Sequence, residues 1–425
     1  MNFRELLAQF EQVHGHPLKS IRHRHPGNKA PDGMTCPHCE APAPFLYFND
    51  GKLRSQLRCK VCALLSQAPA RSKFRETKTK YWCPYCSHAL FRWKQQALCT
   101  IYKCDNDKCP TYLKALAKLN AKERELRKTK SSQFKLRYQY REYHFNKEHL
   151  LHAAPDSSKV DLDKIYNAPN VLGLVLTFHV SFALAARKTA QILKQVFRIP
   201  ISYQTVLNYA EAAAPYCHHF NFNCKGEIDD DSAGDETYIK IDGKHAYTFF
   251  FISTPNHKIT AYHVADSRAT LPATVAMKEA IRTQKSNQAI TLITDGNPAY
   301  PAGIHFLNQN RDQDNQIDHR KVIGLQNLDE ESALNRHFKQ IIERLNRTYK
   351  QHIRAANGFK ATNGALALTT LFVTHYNFLR PHMALGYKVP IPIAEISPLE
   401  TIQAKWCKII EVARQTTPVF GLTKP

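Results

Sequence analysis

Ala289-Ile-Thr-Leu-Ile-Thr294, running into Asp295-Gly-Asn-Pro298, is the stretch on which the fold turns. Six apolar and β-branched residues bounded by a Gly-Asn-Pro turn read as a buried strand leading into a helix. A carboxylate at the end of such a strand is costly unless something binds it, so Asp295 is a poor structural residue and a good functional one.

Upstream, Asp235-Glu-Thr-Tyr-Ile-Lys-Ile-Asp242 reads as a strand. Asp242-Gly243 is a hairpin signal, and Ala246-Tyr-Thr-Phe-Phe-Phe-Ile252 is the returning strand. Pro255-Asn-His257 turns again into Lys258–Ala265, and a helix follows over Ala273–Thr283. Downstream, the pattern predicts a long helix from about Ser332 to Arg354. Phe338, Ile341, Leu345 and Tyr349 form its apolar stripe, and Arg336, Gln340, Glu343, Arg347, Lys350 and Arg354 form a second one. Glu343 is the lone acid on that basic stripe. A bound phosphodiester explains the arrangement, and so does a solvated ion pair with Arg347.

Asp235-Glu-Thr-Tyr-Ile-Lys-Ile, Thr294-Asp295-Gly-Asn-Pro-Ala-Tyr, Ile341-Ile-Glu343-Arg and Tyr376-Asn-Phe-Leu-Arg-Pro-His-Met-Ala-Leu-Gly386 together resemble the DDE transposase and integrase family. The likeness is to bacterial and archaeal insertion-sequence transposases and covers about residues 170–398. It implies an RNase H-like domain, a mixed five-stranded sheet with flanking helices. Asp235, Asp295 and Glu343 match the catalytic acids, and the polar stretch Asn308–Asp318 lengthens the spacing before the third. Glu330 and Glu331 are the alternatives for that third acid. The resemblance implies two Mg²⁺ (or Mn²⁺) ions per site, with Asp235 bridging both, Asp295 holding one and Glu343 the other. It further implies that water cleaves the strand at a transposon end and the freed 3′-hydroxyl then attacks target DNA. Lys240, Arg347 and Lys350 are the expected phosphate contacts near the site, with Arg336 and Arg354 on the same helix. Two DNA ends must be joined at once, which implies a homodimer or larger assembly.

Nine of the twelve cysteines fall between Cys36 and Cys109. Cys36-x-x-Cys39 with Cys59-x-x-Cys62 has the spacing of a structural zinc ribbon. Cys83-x-x-Cys86 with Cys104 and Cys109 makes a second site, in which Cys99 or His88 could replace a ligand. Lys52, Arg54, Arg58, Lys60, Arg71, Lys73, Arg75, Lys78 and Lys80 flank the two sites. They read either as phosphate contacts or as a solvated basic face. Cys217-His-His and Cys224 read as a hinge with two unpaired thiols, with a third metal site as the alternative.

Between these regions, Leu172–Ala185 reads as a buried helix. Arg187–Phe197, a turn at Arg198-Ile-Pro-Ile201, an N-cap at Ser202 and a short helix beyond follow the helix-turn-helix layout. Val206, Leu207 and Ala210 would face inward. Gln204, Thr205 and Asn208 would reach base edges, with Lys188 on the preceding helix as a further DNA contact. An ordinary helical hairpin is the alternative.

Lys and Arg number 59 against 36 Asp and Glu, a formal net charge of +23 spread along the chain. Such an excess favours a polyanionic partner, and double-stranded DNA is the expected one. No signal-peptide core and no long apolar run is present, so neither a membrane partner nor a transmembrane helix is expected. The expected setting is a prokaryotic cytoplasm, at the nucleoid.

The expected organisation is therefore multidomain, α+β and α/β. Residues 30–112 form tandem zinc ribbons holding two structural Zn²⁺ ions, 113–168 a basic linker and 169–215 a helix-turn-helix region. Residues 216–233 form a linker, 234–398 the catalytic domain and 399–425 a tail with a short helix. The expected function is a transposase that binds terminal inverted repeats and cuts and joins DNA. The rivals are a non-catalytic DNA-binding derivative, an RNase H-like nuclease or resolvase, and an RNA-binding zinc protein. Binding without cleavage marks the first rival, strand-transfer products separate the second from a transposase, and competition between duplex DNA and RNA settles the third.

Overall fold

Each Cys-x-x-Cys pair sits on a tight backbone turn. At the first, Cys36 N donates to Ala41 O and Glu40 N to Cys36 O, both at 2.9 Å. At the third, Cys83 N donates to His88 O and Ser87 N to Cys83 O, both at 2.8 Å. The residue after each of the three knuckles takes the left-handed conformation: Glu40 at φ 62°, Ala63 at 56° and Ser87 at 52°. That reversal lets two thiols of one turn face a common point.

The computed structural model describes residues 2–23, 28–49, 56–67, 80–156, 160–162, 165, 167–285, 288–309, 311–312, 315–324 and 330–416. The basic residues Lys52, Arg54, Arg71, Lys73, Arg75 and Lys78 lie outside the described residues, as does the side chain of Glu331. The chain forms two units, Met1–Glu142 and Tyr143–Pro425.

In the first unit, helix α1 (Phe3–His14) precedes a three-stranded antiparallel sheet of β1 (Leu46–Phe48), β2 (Gln56–Cys59) and β3 (Leu65–Gln67). A second three-stranded sheet joins β4 (Phe91–Gln95), β5 (Cys99–Lys103) and β6 (Gln139–Tyr143). Between β5 and β6 come α2 (Pro110–Ala117) and α3 (Ala121–Thr129), the latter opened by a reciprocal capping box between Asn120 and Glu123. The stretch expected as a basic linker is therefore largely structured, and β6 completes the second cysteine module. Glu142, buried at its end, accepts from Tyr102 Oη at 3.0 Å and pairs with Lys80.

The second unit opens with α4 (Pro169–Leu176), a π-helical turn at Thr177–Ser181 and α5 (Ala186–Gln195). The expected Leu172–Ala185 helix thus breaks before Ala183, which is left-handed at φ 54°. Then α6 (Tyr203–Asn223) starts at Ser202, whose hydroxyl accepts from Thr205 N at 3.0 Å. This helix runs 21 residues, through Pro215 and through the first half of the expected linker. Cys217, expected in a hinge, is fully buried in it, because Ala212, Ala213, Ala214, Cys217 and Phe220 all pack into one helical core. Val206 and Ala210 face inward as the pattern predicts; Leu207 is only half-buried and Tyr209 takes the third buried place.

The sheet of this unit has β7 (Asp231–Ile241), β8 (Lys244–Ser253) and β9 (Ile259–Ala265) as an antiparallel meander. Helix α7 (Thr270–Ala280) leads to β10 (Ile290–Thr294), α8 (Ala299–Asn308) and β11 (Ile317–Lys321). Strand β10 lies parallel to both β7 and β11, so the spatial order is β11-β10-β7-β8-β9. One face is covered by α7 and α8, which pack with Phe249, Phe251 and Leu292. After the short α9 (Glu330–Leu334), α10 (Arg336–Arg354) and α11 (Thr362–Thr374) cover the other, against Ala233, Ile239, Phe250 and Ile252. The expected tail carries α12 (Ile402–Thr416), whose fully buried Trp406 packs in the same core as α4 and α6. Among the described residues, no helix is long and apolar enough to cross a membrane.

Candidate active site

Parallel pairing of β7 with β10 sets the acids. Asp231, Ser232 and Ala233 lie opposite Thr291, Leu292 and Ile293. Two residues further in the same register, Asp235 stands beside Asp295. Strand β10 has ended at Thr294, so the second aspartate emerges where its ladder stops. A hydrogen bond from Asn297 N to Asp295 Oδ1, 2.9 Å, closes the turn into α8.

Asp235 faces α10. Asn346 Nδ2 donates to its Oδ2 at 3.1 Å, and the Lys339 ammonium lies 3.7 Å from the same oxygen. Glu343 is four residues after Lys339 and three before Asn346. At 100° per residue it lies within about 60° of both around the helix. It is half-buried on that side, while Arg336, Arg347, Lys350 and Arg354 are exposed. The carboxylates that come within 4.8 Å of one another are those of Asp235, Glu236 and Asp295; Glu343 is not among them. Glu330, the alternative third acid, is exposed on α9.

Burial pushes the Asp235 carboxyl up to about 6, with Lys339 opposing and the charges of Asp295 and Glu236 adding. Among the described residues, Asn346 Oδ1 is buried beside it without a hydrogen-bond partner. Two aspartates and an orphaned amide oxygen are hard donors, the set that suits Mg²⁺ or Mn²⁺.

The sequence reading did not single out Glu236, Asn297, Tyr300, Lys339 or Asn346. Asn297 Nδ2 and Tyr300 Oη donate to the two oxygens of Glu236 at 2.9 and 2.5 Å. The helical spacing of 339, 342 and 346 was the available signal for the last two. At the rim, Lys350 Nζ lies 4.4 Å from the centre of the exposed Tyr238 ring, and Lys240 is exposed on the same strand.

The helix-turn-helix candidates lie apart from this cluster. Lys188 is exposed on α5 and Gln204 on α6; Thr205 and Asn208 are half-buried. Gln204 Nε2 donates to Asn208 Oδ1 at 2.9 Å, so the two share one edge.

In the first unit, the thiols of Cys36, Cys39, Cys59 and Cys62 form one group, and those of Cys83, Cys86, Cys104 and Cys109 another. The Cys36–Cys62, Cys39–Cys59 and Cys86–Cys104 sulfurs are 3.7 Å apart, and the Cys83–Cys109 sulfurs 3.9 Å. A tetrahedron with zinc–sulfur bonds of about 2.3 Å has edges of about 3.8 Å, so both groups fit one zinc ion each. Cys99 is turned elsewhere, donating to Gln96 Oε1 at 3.3 Å, and His88 pairs with Asp105 at 3.1 Å.

Residues 232–377 match a family model described as a DDE domain. No curated protein sequence matches the chain. Among solved structures it is similar to the HTLV-2 integrase catalytic core domain in complex with magnesium, in its trimeric form. That match has 15% identity, a TM-score of 0.26, and covers 39% of this chain and 97% of that one. It is also similar to the simian T-cell lymphotropic virus intasome in complex with the PP2A regulatory subunit B56 gamma. Identity there is 14% and the TM-score 0.26, over 49% of this chain and 70% of that one. Residues 232–377 thus match a DDE domain, and they contain the sheet whose central strands bring Asp235 beside Asp295.

Proposed function

We propose that this chain is a DNA transposase that cuts transposon ends and joins them to target DNA at the Asp235–Asp295 site. The observation that carries the reading is the register of β7 and β10, which puts two carboxylates side by side under the basic helix α10. Asp235, Asp295 and Glu343 would hold divalent Mg²⁺ or Mn²⁺. Bound there, the ions supply a lowered water pKa and neutralise the leaving oxygen. Asn346 orients Asp235 through its amide. Lys339 balances the acids' charge beside the site. Arg347 and Lys350, exposed on α10, grip flanking phosphates, with Lys240, Arg336 and Arg354 extending the basic edge.

The two four-cysteine groups would each hold a structural zinc ion and stiffen a module for binding terminal inverted repeats. Lys188, Gln204, Thr205 and Asn208 would add contacts from the α5–α6 pair. Joining two ends requires at least a dimer.

Asp295→Asn tests the reading. The variant is expected to bind end DNA as the parent does and to lose Mg²⁺-dependent nicking by at least a hundredfold. Nicking at the parental rate removes Asp295 from the chemistry. Strand-transfer products from the parent chain then distinguish a transposase from a nuclease that only cuts.

A further inference from the structure

Resting on that metal-site reading, we propose that Glu236 is a positioning residue that fixes Asp295, and not a third carboxylate ligand.

Adjacent residues on a strand point to opposite faces of the sheet. Asp235 meets Lys339 and Asn346 of α10. Glu236 instead meets Asn297 and Tyr300 at the start of α8, with its carboxylate still within 4.8 Å of those of Asp235 and Asp295. Both of its oxygens are already engaged. Oε2 accepts from Tyr300 Oη at 2.5 Å and Oε1 from Asn297 Nδ2 at 2.9 Å, with Arg268 Nη1 3.8 Å from Oε1. The side chain is only 6% exposed.

Asp295 needs such a support. The β7–β10 ladder ends at Ala233–Ile293 and the β10–β11 ladder at Thr294–Lys321, so no strand pairing reaches it. Asn297 replaces the ladder. Its backbone N–H donates to Asp295 Oδ1 at 2.9 Å, its Oδ1 accepts from Ala299 N at 3.0 Å, and its amide reaches Glu236. Glu236 thus clamps the turn that carries Asp295 to the strand that carries Asp235. Tyr300 is fully buried, and burial with the Glu236 charge holds its phenol well above the usual range, so it stays a donor. Groups that orient metal-holding side chains typically change metal affinity 10–100-fold when removed.

The test is Mn²⁺ binding to the full chain, read from the electron paramagnetic resonance signal of free Mn²⁺, with thermal melting recorded alongside. Glu236→Gln, Asn297→Ala and the shape-preserving Tyr300→Phe are each expected to weaken binding about tenfold. The Glu236→Gln/Asn297→Ala pair should lose no more than the worse single variant, because both break one clamp. If Glu236→Gln abolishes binding while Tyr300→Phe and Asn297→Ala leave it unchanged, Glu236 is a ligand and the proposal fails. It fails equally if all three lower the melting temperature and none alters Mn²⁺ affinity. Asp235→Asn and Asp295→Asn separate this from the parent reading. Should both bind Mn²⁺ as the unmodified chain does, the metal site itself is misplaced and both ideas fall.

Discussion

Asp235 is charged at neutral pH against the pull of its own burial. Its carboxyl sits at about 6 in the fold, above the ordinary 3.8, chiefly through desolvation. The folded state therefore binds more protons than the unfolded one between about pH 4 and 6. Stability is lost as pH rises through that window and stays lost above it. Without divalent ions, Asp235→Asn should therefore melt above the parent at pH 7.5, by at most about 3 kcal/mol, and level with it at pH 4. Equal differences at the two pH values would show that the carboxyl is not desolvated. One residue earlier, an added Cβ on Gly234 would come 2.2 Å from the Phe251 ring. Gly234→Ala is expected to cost about 1–3 kcal/mol in urea unfolding, an overpacking penalty in the middle of the sheet. Asp295 is legible because an acid beside a strand-ending Gly-Asn-Pro turn is a local signal, whereas Asp235, inside β7, stands out only through the resemblance of its motif. Their supports are not legible. Asn297 and Tyr300 meet Glu236 across more than sixty residues of chain, and no local pattern along β7 marks that meeting. On α10 the basic stripe through Glu343 is exposed at Arg336, Arg347, Lys350 and Arg354. The residues that touch Asp235 lie one step further round, at Lys339 and Asn346.

At the scale of elements, α6 shows where local signals stop. Its start was legible from Ser202, which caps it, and from the turn at Arg198, left-handed at φ 58°. Its length was not. Pro215 lacks an N–H and ordinarily ends or kinks a helix at a cost of about 3 kcal/mol. Here the buried alanines before it and Cys217 and Phe220 after it hold the helix to a core that α4, α11 and α12 build from distant parts of the chain. The same distance hid α12. Trp406 is fully buried, its indole N–H donating to Ser181 Oγ at 2.9 Å, so Trp406→Ala should destabilise the second unit by about 3–5 kcal/mol. A melting temperature unchanged in that variant would detach α12 from the core. The cysteine knuckles were legible from spacing alone, but their left-handed exits were not, since none of Glu40, Ala63 and Ser87 is the glycine that such a conformation favours. Ser87→Gly should relieve that strain and raise stability by about 0.5–1 kcal/mol, read from a higher chelator concentration needed to collapse the second module.

At the scale of the molecule, the charge of +23 has to be separated into a general attraction to polyanions and a defined footprint. Each phosphate neutralised contributes about −0.9 to the slope of log K against log salt, so the slope counts contacts where a single affinity does not. Arg347, Lys350 and Arg354 project from α10 along the edge beside the acids, and Lys350 is steadied by the Tyr238 ring. If that edge lies on the DNA backbone, replacing all three by alanine should make the slope shallower by about 3 on duplex DNA, with the loss shared evenly among sequences. Gln204→Ala on α6 should behave in the opposite way: the slope stays, and discrimination between end DNA and random duplex falls by about tenfold, a loss within the range of one base-edge contact. An unchanged slope in the triple variant would move the phosphate track off α10, and the basic stripe would then be no more than a solvated face. A shallower slope together with intact Mn²⁺ binding would instead place flanking DNA phosphates on this edge of α10 and keep Arg347, Lys350 and Arg354 out of any metal site.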